Sequence, residues 1–299
     1  MTAKPKALLI TAWTFLLLAS ILPRIVLQEV FKYPVSEGRG AAIAGGVLLI
    51  GLVLTQVWST VRELRPFFIL GLVLVGVEWF VFTRVDQLPL YQAWLNNPSF
   101  NVYMLAEQSL RLMVTLAIIA ALFVMKKQAG AFFLAKGNTG APVEPVGWLG
   151  IKEGERWNRL GPLFALIISS GTLAFLVLAG RPPMNLVLRA LPFLPAILVA
   201  AALNAFNEEM TYKASFLSVL EDVVGKHQSL WLMAAYFGIG HYYGIPYGVI
   251  GVIMAGFLGW FLGKSMLETR GLWWAWFIHF WQDVLIFSFL AIGSIKPGG

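Results

Sequence analysis

The sequence predicts an all-α fold, a polytopic transmembrane helical bundle of about nine spans with a catalytic cavity inside its C-terminal half. Three observations predict it. Hydrophobic residues make up 59% of the 299 and charged residues only 12%. The mean hydropathy is strongly positive. The apolar residues fall in runs near the length of about 20 that a helix needs to cross a bilayer core. The net charge of +7 sits in the connections and builds no basic stripe with interleaved aromatics, so membrane lipids are the expected partners and nucleic acid is not. With no cysteine, disulfides, thiolate catalysis, iron-sulfur clusters and thiolate zinc sites are excluded.

Taken in order, the first apolar run follows Lys4 and Lys6 and ends before Pro23-Arg24. It is at the upper limit for a signal peptide and lacks a small-residue cleavage pattern, so residues 8–27 read as a retained span. Further spans are expected over residues 41–61, 66–82, 103–125, 161–178, 195–223, 230–244, 247–266 and 272–292. The third and seventh are short and the sixth is long, which sets a range of eight to ten. Basic residues of the connections number thirteen on the N-terminal side, among them Lys4, Lys126 and Lys127, against seven on the other, among them Arg24, Lys32 and Lys296. That asymmetry predicts a plasma (inner) membrane protein with its N-terminus in the cytoplasm.

The connection from Lys126 to Arg159, with Gly137-Asn138-Thr139-Gly140-Ala141-Pro142, lacks apolar periodicity. It divides N-terminal helices, residues 1–159, from a C-terminal core, residues 160–299, that holds all the candidate chemistry. Other polar residues have plainer readings. Glu107 and Arg111 form an ion pair one turn apart, Glu78 reaches the membrane interface, and His227 is a solvated connection residue. The tryptophans and tyrosines, Trp273, Trp274, Trp276, Tyr242 and Tyr243 among them, read as interfacial anchors.

Within that core stand Glu208, Glu209, His241, His279 and Asp283. An ionisable side chain in a membrane span costs roughly 2.5–3.5 kcal/mol even on lenient insertion scales, so several together point to function. Pro192 and Pro195 open the sixth span, and Glu208 falls deep inside an apolar helix. Glu209 points about 100° away from it and lies one turn before Lys213, the spacing of an ion pair. His241 follows Phe237 by one turn, and His279 and Asp283 share a helical face. A carboxylate can serve as general base toward water, one imidazole can orient that water, and a second with a neighbouring carboxyl can stabilise an oxyanion. These are the parts of an amide hydrolase. Glu, two His and Asp are also zinc ligands, so no cofactor or a divalent metal such as zinc both stay open, although HExxH is absent.

Glu208-Glu209-Met-Thr-Tyr-Lys213, Phe237-Gly-Ile-Gly-His241 and His279-Phe-Trp-Gln-Asp283 resemble the EExxxR, FxxxH and HxxxN/D motifs of the CPBP family, the CAAX protease and bacteriocin-processing intramembrane peptidases. The similarity covers residues 195–289. It implies a protease similar to type II CAAX prenyl endopeptidases, acting on a lipidated protein or membrane-associated peptide. Glu208 would activate water with help from His241, His279 and Asp283 would stabilise the oxyanion, and Glu209 would support the site. Two residues depart from the pattern. Lys213 replaces the usual Arg, which preserves a single ion pair and removes a bidentate one. Asp283 replaces Asn, so it must be neutral or hold His279 through a hydrogen bond. The competing readings are an inert family member acting as membrane partner or immunity protein, and a proton-coupled transporter using the same groups as a relay.

Overall fold

The computed structural model describes residues 5–126 and 128–295. Lys4, Lys127 and Lys296, which enter the topology argument above, lie outside the described residues.

The described chain is helical, with two isolated antiparallel bridges in the long connection. Helix α1 (Lys6–Ala19) meets α2 (Leu22–Ile25) at a 54° bend and continues as a π-helical stretch to Val30. Pro23 lacks an amide proton, and the Ser20 hydroxyl both donates to the Leu17 carbonyl and accepts from the Leu22 amide, which stabilises the break. Helix α3 (Glu37–Val57) starts at Ser36, whose side chain accepts from the Arg39 amide, and α4 (Arg65–Phe80) has Pro66 in its first turn. The short α5 (Pro89–Leu95) leads into α6 (Phe100–Lys126). After the connection come α7 (Trp157–Gly180), the short α8 (Met184–Ala190) and α9 (Leu194–Glu208). A π-helical segment, Glu209–Ala214, joins α9 to α10 (Ser215–Val224), and α11 (Lys226–Gly240), α12 (Val249–Thr269) and α13 (Trp273–Ser294) complete the bundle.

Seven described helices or helix runs are long and apolar enough to cross a membrane, eight if the bent α1–α2 pair is one span. The seventh expected span, over residues 230–244, is instead the 15-residue α11, which starts at Lys226 and stops before His241. His227 is exposed but lies in its first turn rather than in a connection. Exposed large apolar side chains such as Ile50, Val53, Leu166, Leu178, Ile250 and Ile253 cover the outside, as a hydrocarbon solvent requires. The chain is an integral membrane protein.

One buried cluster runs through both halves: Leu8, Leu16, Phe67 and Phe68 share it with Phe216, Leu217, Met233 and Phe237. Helices α11 and α12 pack backbone against backbone. A Cβ on Gly238 would lie 2.6 Å from the Val252 carbonyl oxygen and 2.9 Å from the Gly256 Cα, so only glycine lets these backbones meet. Gly238→Ala is expected to lower stability by about 1–3 kcal/mol through overpacking. Gly240→Ala, whose Cβ meets open space, should stay within about 0.5 kcal/mol of the native protein. Thermal unfolding in one detergent compares the two.

The connection folds back under α11–α13. Asn138 N–H donates to the Thr269 carbonyl and Leu272 N–H to the Ala135 carbonyl, each at 2.8 Å. Glu268, ion-paired to Lys264, accepts from Trp157 Nε1 at 2.8 Å, and Lys226 donates to Glu144 at 2.5 Å. That hydrogen bond holds the Glu144 carboxyl below the ordinary carboxylate range. Its contribution is therefore present at neutral pH and is lost as pH falls through the depressed value. Trp274 is buried and donates to the Thr139 carbonyl, and Trp276 donates to the Ala202 carbonyl. Buried Trp274 is a packing and hydrogen-bonding residue rather than an interfacial anchor.

Candidate active site

Glu208 ends α9 and Glu209 begins the π-helical segment, so the carboxylate pair stands where the helical repeat changes. π-helical insertions of this kind recur at functional sites because they re-aim side chains. Buried polar contacts to α6 hold this junction. Asn207 Nδ2 donates to the Gln108 carbonyl at 3.2 Å, and the Thr115 hydroxyl reaches Asn207 Oδ1 and the Thr211 hydroxyl, each at 3.0 Å. The two glutamates diverge as their helical spacing predicts. Glu209 is fully buried and accepts from Lys213 Nζ at 2.8 Å, while Glu208 keeps 15% of its side chain exposed.

The five expected residues converge. Glu208 Oε2 lies 3.6 Å from His279 Nε2 and 4.0 Å from His241 Nε2. His241 sits just past the end of α11, and its Nδ1 is 2.8 Å from the Phe237 carbonyl. That carbonyl can only accept, so Nδ1 carries a proton, and Nε2 faces Glu208. His279, on α13, places Nδ1 2.6 Å from Glu209 Oε1. A chain of contacts, Lys213 to Glu209 to His279, thus orients the imidazole from behind. Asp283 Oδ1 is 3.7 Å from His279 Nε2, outside hydrogen-bond reach. Of the two roles open to Asp283 in the sequence, the hydrogen bond that holds His279 is made by Glu209 instead.

Lys213 shows how a lysine fits where a fork was expected. Its ammonium is 3.4 Å from the centre of the Phe237 ring and bonds one carboxylate oxygen only, leaving Glu209 Oε2 buried without a partner. The single ion pair is kept and the second bond is missing.

Sequence reasoning passed over Asn204, whose amide donates to Glu208 Oε1 at 3.2 Å and to Asp283 Oδ2 at 3.0 Å. Its signal was a lone amide one turn before Glu208 in an apolar run. It also passed over Tyr212, which donates to Glu78 Oε1 at 2.5 Å, so Glu78 turns into the bundle rather than to the interface. The Glu107–Arg111 pair forms, at 3.7 Å. A small cleft against Glu208 is lined by Asn207, Thr211 and Tyr212 and closed from the N-terminal half by Phe82, Arg111 and Val114. Catalytic candidates come from the C-terminal half, and part of their enclosure comes from the other. Among the described residues, no three His, Asp or Glu side chains are arranged to hold a metal ion.

A family model described as "Type II CAAX prenyl endopeptidase Rce1-like" matches residues 189–285. These residues are an Rce1-like domain. The domain takes in Asn204, Glu208, Glu209, Lys213, His241, His279 and Asp283, and excludes α1–α7. Neither the curated proteins nor the solved structures give a match. The match is a likeness to CAAX-type proteases over these residues and agrees with the CPBP resemblance carried by the three motifs.

Proposed function

We propose that the protein is an intramembrane endopeptidase that hydrolyses a peptide bond of a lipidated or membrane-associated substrate with water activated by Glu208. The observation that carries this reading is the gap between Glu208 Oε2 and the Nε2 atoms of His241 and His279, at 4.0 and 3.6 Å. A water in that gap donates one proton to the Glu208 carboxylate and the other to His241 Nε2, which turns its lone pair toward a bound carbonyl carbon. Glu208 takes the proton as the C–O bond forms and returns it to the departing amine nitrogen as the C–N bond breaks.

His279 faces the developing oxyanion. Glu208 and Glu209 outweigh Lys213 by one negative charge, and an imidazolium at 279 makes the buried set neutral, which lowers its desolvation cost. With Nδ1–H on Glu209, Nε2–H is then free to donate to the oxyanion. Asp283 in its neutral form, with Oδ2 held by Asn204, supplies a second donor from Oδ1. Every proton in this scheme is carried by the protein's own groups, and turnover is expected to survive chelator treatment of the purified protein. In this reading the excess of basic residues on the N-terminal side keeps that terminus in the cytoplasm, at the inner membrane.

Asn204→Leu is expected to lower kcat by about 10- to 100-fold with little change in KM, since hydrogen bonds to charged groups contribute about 1.5–3 kcal/mol. Steady-state kinetics on a quenched lipidated peptide measures both constants. The function itself is tested by incubating purified protein in proteoliposomes with lipidated peptides and mapping products by mass spectrometry. One defined cleavage is expected, and recovery of every peptide intact removes the reading.

A further inference from the structure

Helix α7 lies outside the Rce1-like segment, yet it packs along α13, the helix that carries His279 and Asp283. Near its start a Cβ on Gly161 would overlap the Trp274 ring, so the two helices meet closely there. Leu163, Leu166, Ile167 and Leu178 form the exposed, lipid-facing side of α7. Between those ends, Ser169 and Thr172 turn their hydroxyls the other way, onto Gln282 of α13.

Gln282 is buried, and every polar atom of its side chain is engaged. Oε1 accepts from the Thr172 hydroxyl at 2.6 Å, while Nε2 donates to the Ser169 hydroxyl at 2.9 Å and to the Ile278 carbonyl at 3.3 Å. An amide inside an apolar helix is tolerated only when it is satisfied in this way. Around the α13 axis Gln282 stands about 60° from His279 and about 100° from Asp283, on the flank of the face that both residues share. A grip on that flank resists rotation of the helix. At an outer radius of about 5–6 Å, a turn of about 10° carries a side-chain atom about 1 Å sideways. A misplacement of about 1 Å can cost about 100-fold in rate.

We propose that Ser169 and Thr172 are positioning residues for hydrolysis, which act through Gln282 to fix the rotation of α13 and so hold His279 between Glu209 and Glu208. The inference rests on the proposed protease reading and extends its machinery to a helix that the family match leaves out. The contacts at stake are those of the imidazole, 2.6 Å from Nδ1 to Glu209 Oε1 and 3.6 Å from Nε2 to Glu208 Oε2. A pair of hydroxyls that merely glued α7 to α13 would add stability and leave both contacts unchanged when removed.

The test combines Ser169→Ala with Thr172→Val, which removes both hydroxyls with little change in shape, and compares Thr172→Ser, which keeps one. Tyr91→Phe, which breaks the Tyr91–Ser109 hydrogen bond between α5 and α6, serves as the control for lost stability. In proteoliposomes the double replacement is expected to lower kcat by about 10- to 100-fold with KM within about twofold, while Thr172→Ser and Tyr91→Phe stay within about twofold of native kcat. A second readout needs no turnover. The chain has three histidines, so nitrogen-15 labelling of histidine isolates the Nδ1 proton that His279 shares with Glu209, assigned by its loss in His279→Gln. That resonance should lie far downfield in the native protein and move upfield in the double replacement. An unmoved resonance overturns the proposal, whatever happens to kcat, and so does an equal loss of kcat in Tyr91→Phe. If the native protein cleaves no peptide, a moved resonance leaves the clamp standing and the protease reading falls. Cleavage with both kcat and the resonance unchanged does the reverse.

Discussion

Glu209→Ala is expected to destabilise the protein by about 3–5 kcal/mol, because it strands a buried ammonium at Lys213 and frees His279 from its anchor. Lys213 and Glu209 side chains are both 0% exposed, and the ammonium loses its hydrogen-bonded carboxylate and keeps the Phe237 ring at 3.4 Å. The loss should therefore be larger than for a surface pair, whose worth is about 0–1 kcal/mol. Glu209→Ala combined with Lys213→Met removes both charges together and should recover a substantial part of that stability. It should not recover activity, since His279 Nδ1 still lacks its 2.6 Å partner. Thermal unfolding of the single and double variants in one detergent separates the two effects. A double variant no more stable than Glu209→Ala would show that the pair does not act as a unit.

Glu208→Gln is expected to reduce hydrolysis by about 10²–10⁴-fold, the usual contribution of a general base, with the melting temperature close to native. The amide keeps the size of the carboxylate and can still accept from Asn204 through its oxygen. What it loses is the capacity to take a proton from water. A replacement that unfolds the protein would say nothing about chemistry, so the melting curve belongs beside the rate. His241→Ala should fall less far, because the imidazole in this scheme orients the water and does not hold its proton.

Much of this site was legible because charge in an apolar span is conspicuous. Glu208, Glu209 and Lys213 follow one another at helical spacing, and the expected Glu209–Lys213 pair forms at 2.8 Å even though the segment is π-helical. Phe237 and His241 were readable as one turn for the same reason. Asn204 was not, since a single amide in a helix is a weak signal and its two acceptors lie four and 79 residues away. Tyr212 and Glu78 meet across 134 positions, and Asn207 and Gln108 across 99, contacts that only the packed bundle brings together. The all-helical bundle followed from hydropathy alone. Hydropathy could not show that α11 stops before His241, because Gly238, Gly240 and Gly244 do not interrupt an apolar run as they do a helix. Nor could it show that N-terminal helices close the cleft against Glu208, which depends on side-chain placement across the two halves.

The account rests on water, activated at Glu208, as the group that ends up on the cleaved chain. Purified native and Glu208→Gln proteins, both checked for fold, are incubated with a lipidated peptide in water enriched in oxygen-18, and the products are weighed by mass spectrometry. The account predicts one heavy oxygen in the new carboxyl terminus made by the native protein and almost no product from the variant. Cleavage by Glu208→Gln at the native rate, with the same label, would contradict it.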